Sequence, residues 1–261
     1  MNFAFDLISD LHIETWPTFD WEGQATSQMC VVAGDVSRDH EVLRSTLTHL
    51  SKCYQGVLYI DGNDEYKDHW DNITTVTQDI HHIIDSIPGV VYLQDNVVIA
   101  NDTAFLATNG WWDWNFDTSI ELDQSYNWFT DKYKCGRHVP HVIQGLAEND
   151  FRYLYSSVGK LQTHVDVKNI VIVTHTVPSL ELINHDTSLE GTYRVNTMGN
   201  SMMRQILNAD TQGKIKTWCM GHYHSSIDRV WDGVRYVNNC RGRGDTDWRQ
   251  SAYYPRRIEV S

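Results

Sequence analysis

Asn2-Phe3-Ala4-Phe5-Asp6-Leu7-Ile8-Ser9-Asp10-Leu11-His12 is the stretch whose reading decides the fold. An apolar run of strand length, Asn2 to Ile8, stops at Asp10-x-His12, the pattern of a buried strand that delivers polar residues to the loop at its C-terminal end. Four further runs behave in the same way. Met29 to Ala33 ends at Gly34-Asp35, Val57 to Ile60 at Gly62-Asn63, Asn169 to Thr174 at His175, and Lys216 to Met220 at Gly221-His222-x-His224. Between them, Val42, Leu43, Leu47 and Leu50 repeat at helical spacing, as do Ile73, Val76, Ile80, Ile83, Ile84 and Ile87 ahead of Pro88. Strand-helix-strand crossovers are therefore expected. Val90 to Tyr92, Val97 to Ala100 and Ala104 to Ala107 read as strands, followed by helical patterns through about Val165. Ile227 to Trp231 and Val234 to Val237 predict a hairpin around Asp232-Gly233, and Arg257 to Val260 a closing strand. The expected architecture is a layered α/β sandwich. Residues 1–261 read as one domain, with a helical and aromatic insertion around 109–165.

Composition narrows the partners. Lys and Arg number 21 against 34 Asp and Glu, a formal charge of −13, and a field of that sign disfavours nonspecific binding to duplex nucleic acid. No basic leader precedes the first strand, and no run approaches the roughly twenty apolar residues that span a bilayer. A soluble cytoplasmic protein with no membrane partner is expected. The five cysteines, Cys30, Cys53, Cys135, Cys219 and Cys240, are scattered and odd in number, which suits reduced core thiols.

The five polar clusters share one chemistry. Carboxylate oxygen, amide oxygen and imidazole nitrogen together suit manganese, iron or zinc, whereas the histidines argue against calcium and no thiolate cluster accompanies them. Asp10 and His12, alternating with Leu11 at a strand end, are expected to point to one side. Gly34 lets the backbone turn, and the two oxygens of Asp35 could bridge two cations. Asn63 offers a neutral oxygen where charge around a cation must be limited, and His175, His222 and His224 bring three imidazoles from two further strand ends. Each element alone has a plain structural explanation as a cap, turn or core residue. Jointly they make a ligand set for two divalent ions.

As a set, Asp10-x-His12, Gly34-Asp35, Gly62-Asn63, His175 and Gly221-His222-x-His224 resemble the signature of the calcineurin-like metallophosphoesterases, over nearly the whole chain. That resemblance implies a four-layer α/β/β/α sandwich with mixed sheets and two metal ions, commonly manganese or iron, and a metal-activated water that attacks phosphorus. It further implies that Asp10, His12, Asp35 and His224 hold one ion, that Asp35, Asn63, His175 and His222 hold the other, and that Asp35 bridges them. Asn239-Cys240-Arg241-Gly242 resembles a turn that family members carry near their C-termini.

The sequence departs from the family at one position. The family's Gly-Asn-His is Gly62-Asn63-Asp64 here, so Asp64 stands where the catalytic histidine is usual. An aspartate serves as an acid only if its pKa is raised, and neighbouring metals act in the other direction. Branches of the family without this histidine include phosphodiesterases, so diester cleavage is the first expectation. A phosphomonoesterase or protein phosphatase is the alternative reaction. A catalytically inactive binding or scaffold protein on the same fold is the alternative of another class. Trp111, Trp112 and Trp114 crowd one stretch after a strand, where rings could stack on a nucleotide-like phosphate ester or else pack the loop onto the scaffold. Arg38, with Arg241 or Arg243, could grip a phosphate.

Overall fold

The computed structural model describes residues 3–16, 23–244 and 253–260. Its strands and helices run in chain order as β1 (Phe3–Ile8), β2 (Met29–Ala33), α1 (His40–Cys53), β3 (Gly56–Ile60), α2 (Ile73–Asp85), β4 (Val90–Tyr92), β5 (Val97–Ala100) and β6 (Thr103–Thr108). They continue as α3 (Leu122–Tyr133), α4 (Val139–Gln162), β7 (Asn169–Thr174), β8 (Ile215–Met220), β9 (Asp228–Trp231), β10 (Val234–Asn238) and β11 (Arg256–Val260). One sheet has the order β11-β1-β2-β3-β4, and the other β5-β6-β7-β8-β10-β9. Both are mixed: the inner strands are parallel, and β11, β5 and β9 run antiparallel at edges.

The period of two along each strand makes the layers. Phe5 and Leu7 of β1, Val31 and Ala33 of β2, and Leu58 and Ile60 of β3 meet Phe105, Ala107, Val171, Val173, Cys219 and Val237 of the second sheet in one buried cluster between the sheets. The alternate residues face outward. Cys30, Val32, Val57 and Tyr59 lie under Leu43, Leu47 and Leu50 of α1 and Val76, Ile80, Ile83 and Ile84 of α2. Leu106, Ile170, Ile172, Trp218 and Met220 lie under Leu154, Val158 and Leu161 of α4. Helix, sheet, sheet and helix are thus stacked, as the resemblance implies. Asp39 starts α1 as its N-cap, accepting from the backbone N–H groups of Glu41 and Val42 at 2.9 and 3.1 Å.

The strand boundaries expected from sequence agree with those observed to within a residue. Asn2 lies outside the described residues. The hairpin turn at Asp232-Gly233 has φ of 50° and 79° at its two residues, the two-residue turn that matches strand twist. One expectation is corrected. Asp10 and His12 do not alternate along a strand, because β1 ends at Ile8 and both residues lie beyond it with left-handed backbone, φ 52° and 42°. The five cysteines form no disulfide among the described residues, and Cys30, Cys219 and Cys240 are buried.

The segment after β6 carries the aromatic cluster into the core. Trp111, Trp112 and Trp114 pack edge-on with Trp70 and Phe129, between α3 and the elements beside β3. Asp150 of α4 ties this loop down. Its buried carboxylate accepts from the backbone N–H groups of Gly110 and Trp111 at 2.8 and 3.0 Å and from Gln94 Nε2 at 3.2 Å.

Candidate metal centre and its cleft

Three loops at the C-terminal ends of β1, β2 and β3 are zipped together before any side chain is considered. Asp10, His12 and Ile13 donate their backbone N–H groups to the carbonyls of Gly34, Asp35 and Val36 at 2.9, 3.1 and 3.1 Å. Glu65, buried behind them, accepts from the N–H groups of Asp35, Val36 and Gly62 at 3.2, 2.8 and 2.9 Å, so one carboxylate clamps two loops. Glycine is required where the loops touch. A Cβ at Gly34, which has φ 82°, would lie 2.5 Å from His175 Nδ1, and one at Gly62 would collide with the Asp35 side chain.

The second sheet supplies the imidazoles, and their hydrogen bonds aim them. His175 Nδ1 lies 2.9 Å from the Ala33 carbonyl, which can only accept, so this nitrogen carries the proton. Its Nε2 then faces Asn63 Oδ1 at 3.1 Å and Asp35 Oδ1 at 3.3 Å. His222 Nε2 donates to the Thr197 carbonyl at 2.9 Å, which leaves Nδ1 as its free lone pair. The His222 backbone N–H meets the Asp10 carboxylate at 2.9 and 3.0 Å, joining the loop after β8 to the loop after β1. His224 Nε2 is 3.3 Å from Asp10 Oδ1 and 3.1 Å from His12 Nε2.

Three groups of donor atoms result. Asp10, His12, Asp35 and His224 form one, Asp35, His175 and His222 a second, and His12, Glu14 and Asp64 a third, each with its donor atoms within 4.8 Å of one another. Asp35 belongs to the first two. The Asn63 amide oxygen adjoins the second group through His175. All seven residues singled out as ligands in the sequence are therefore brought together.

The electrostatics of this cluster favour positive charge. Burial opposes ionisation of Asp10, but the hydrogen bond from His224 and the fields of His175 and His12 hold its pKa well below the usual carboxylate range. Burial likewise opposes charge on His175, yet Asp35 and Asp10 raise its pKa to about 10. Burial and then His175 push His222 down to about 3, so its ring is a neutral donor. Carboxylate and amide oxygens and imidazole nitrogens, gathered among buried carboxylates, are the donor types that divalent transition ions take.

A cleft of about 500 Å³ opens over the cluster, lined in part by Asp35, Asn63, His222 and His224. Asp64 sits at its floor, 2% exposed. Its carboxylate lies 3.3 Å from His12 Nδ1, 3.4 Å from Lys67 Nζ and 3.9 Å from Arg38, and it accepts a hydrogen bond from Arg243. Burial alone would raise its pKa, but His12, Arg243 and Lys67 lower it far below the carboxylate range. Asp64 is thus held as an anion beside His12 and gathers cations around it.

Arg38 lines the cleft. The other substrate-facing expectations are corrected. Trp111 and Trp112 are 3% and 2% exposed, and their rings belong to the core behind the site, where Trp112 stacks on His222 with centroids 6.0 Å apart. Arg241 is buried with its guanidinium 4.2 Å from the Trp16 ring centroid, whereas Arg243 reaches the cleft. Lys67, Lys132, Tyr133 and Arg194 also line it and were not singled out from sequence. Lys67 was discoverable one 3₁₀ turn beyond Asp64, but Lys132 and Arg194 come from segments whose sequence carries no strand-end pattern.

No protein-family model matches the chain. A phosphopantetheinyl hydrolase from Mycobacterium tuberculosis superposes with a TM-score of 0.68 at 15% identity, covering 98% of this chain and 95% of the other. A dimetal phosphatase from Danio rerio gives a TM-score of 0.51 at 12% identity, with 90% and 86% of the two chains covered. An uncharacterized protein of Acanthamoeba polyphaga mimivirus is 19% identical over 90% of this chain and 89% of its own length. The fold is thus that of the metallophosphoesterases. No helix among the described residues is long and apolar enough to cross a membrane.

Proposed function

We propose that this chain is a dimetal phosphoesterase that hydrolyses small phosphate esters, phosphodiesters by preference. The observation that carries the reading is Asp35, shared by two groups of donor atoms that a single ion could not use at once. Asp10, His12, Asp35 and His224 would hold one ion, and Asp35, Asn63, His175 and His222 the other, with manganese or iron favoured by the mixture of oxygen and nitrogen donors and zinc as the alternative. Ions so held would polarise the phosphoryl oxygens and activate a water for in-line attack.

The chain's own residues set the rest. His175 and His222 are locked in orientation by Ala33 and Thr197, and the Asp64 carboxylate stands 3.3 Å from His12 Nδ1. Arg38 and Arg243 flank the cleft, where guanidinium groups can orient phosphoryl oxygens. Diester preference rests on the ionised carboxylate of Asp64 in the place of an imidazole, which leaves an alkoxide leaving group without that proton source. Monoester hydrolysis is the second reading, favoured by the cations around Asp64, which cancel its repulsion of a dianion. The test is metal analysis of protein reconstituted with manganese, together with turnover of paired aryl mono- and diesters. About two equivalents of metal and faster diester turnover are expected. One equivalent or none, or inactivity on both esters, would refute the reading.

A further inference from the structure

The chain holds 34 acidic against 21 basic residues, yet Arg38, Lys67, Lys132, Arg194 and Arg243 all line the cleft above the ligand cluster. Three of them answer carboxylates. Arg38 pairs with Glu14 at 3.4 Å, and Lys67 and Arg243 pair with Asp64. Setting these five cations against Asp64 and Glu14 leaves three positive charges in surplus, with Asp35 assigned to the ligand cluster. Neither Lys132 nor Arg194 forms an ion pair with a carboxylate among the described residues.

These two residues arrive from different elements that pack on each other. Lys132 lies in the last turn of α3, its ammonium 4.6 Å from the centroid of Trp128, while Arg194 lies in the 3₁₀ segment Tyr193–Thr197, whose Tyr193 ring is 6.5 Å from Trp128. Burial, then the fields of Arg194 and Lys67, lower the Lys132 pKa. Folding brings both to the wall of one cleft, an arrangement of like charges that an anionic ligand relieves. The cleft of about 500 Å³ is the size of a small-molecule site, and the acidic balance of the remaining surface repels a long polyanion.

We propose that Lys132 and Arg194 form a subsite for a second phosphoryl group, so that the substrate is a small phosphate ester carrying another phosphate beside the scissile one. This assignment rests on the phosphoesterase reading above. Thymidine 5′-(p-nitrophenyl phosphate) and its 3′-phosphorylated counterpart share the scissile diester and leaving group, and differ by one phosphate. With manganese-reconstituted protein the 3′-phosphate should lower KM about tenfold, the equivalent of about 1.4 kcal/mol, with little change in kcat. That advantage should shrink as NaCl is raised. The double substitution Lys132→Ala/Arg194→Ala should reduce the ratio below about twofold, whereas Lys168→Ala, at the far end of β7 beside Asp102, should leave it intact. Equal KM values for the two esters, or a ratio the double variant does not move, overturns the subsite. Should neither ester be turned over, the phosphoesterase reading fails and calorimetric binding of thymidine 3′,5′-bisphosphate against thymidine 5′-phosphate still decides. A preference for the bisphosphate that the double variant abolishes upholds the subsite, and equal affinities, or tighter binding of a single-stranded oligonucleotide, reject it.

Discussion

Asp35 and Asp64 are neighbouring carboxylates with opposite tasks. Asp35 faces both donor groups, so Asp35→Asn should lose metal occupancy and activity together, with metal analysis falling from about two equivalents to one or fewer and turnover by about 100-fold or more. Asp64 touches His12 on the side away from the Asp35 carboxylate, which lies 3.7 Å from His12 Nε2. Its removal acts through the ring it supports. Asp64→Asn should weaken metal affinity or activity by about 10- to 100-fold, measured by metal titration alongside kcat/KM. Asp64→His tests the departure from the family directly. It should move the preference toward monoesters and add a pH dependence near neutrality, and an unchanged ratio of paired mono- and diester rates across pH would remove leaving-group assistance from the account. Glu65 enters this account as a clamp on backbone N–H groups.

The elements show which parts of the molecule a sequence can announce. Every strand that leads to a candidate donor was legible, because a buried strand needs a short apolar run and its C-terminal loop needs glycine and polar side chains. The convergence of those candidate donors could be expected for the same reason. The aromatic stretch was not: a Trp-rich loop reads alike whether its rings meet ligand or core, and only the arrival of Trp70 and Phe129 from distant segments decides for the core. Trp111→Ala should therefore cost about 3–5 kcal/mol of stability and lower Tm, while the ratio of nucleotide to non-nucleotide ester turnover stays constant. The cations from α3 and the Tyr193–Thr197 segment were hidden for a related reason, since their approach depends on how two elements pack and leaves no periodic trace. Asp150 gives this region a pH signature. Burial, then Asp95, raise its pKa well above the ordinary value despite the N–H donors of Gly110 and Trp111. A carboxyl raised on folding favours the native state most at low pH, and that benefit is lost as pH rises from about 4 through the folded pKa. Over that range the Tm of Asp150→Asn should gain on that of the unsubstituted protein, and a difference that stays flat with pH would refute the assignment.

Across the whole molecule the candidate ions would lie on the seam between the sheets. Asp10, His12, Asp35 and Asn63 follow strands of the first sheet, and His175, His222 and His224 follow strands of the second. Metal binding should consequently join layers that otherwise meet through apolar packing, and chelation should lower Tm by an amount that grows with the metal concentration it is compared against. At 100 times Kd each site would add about 2.7 kcal/mol. Differential scanning calorimetry with and without chelator measures it, and an unchanged Tm would mean that the seam closes without ions. The concentration of cations in one cleft of an acidic chain also sets the approach of substrate. For anionic esters kcat/KM should fall as ionic strength rises, which stopped-flow or steady-state rates over a NaCl series would record.

Asp10, His12, Asp35 and His222 hold φ between 42° and 61°, a region that most side chains avoid. Asparagine, aspartate, histidine and glycine are the residues that enter it most readily, and the first three are also donors for metal ions. Backbone tolerance and coordination chemistry therefore select from nearly the same alphabet at these four positions. A library that randomised them under selection for folding alone, with metal withheld, should still return mostly those four residue types. The motif would then persist for conformational reasons after its chemistry had been lost, and the more telling record of retained catalysis lies at His175 and His224, outside the left-handed positions.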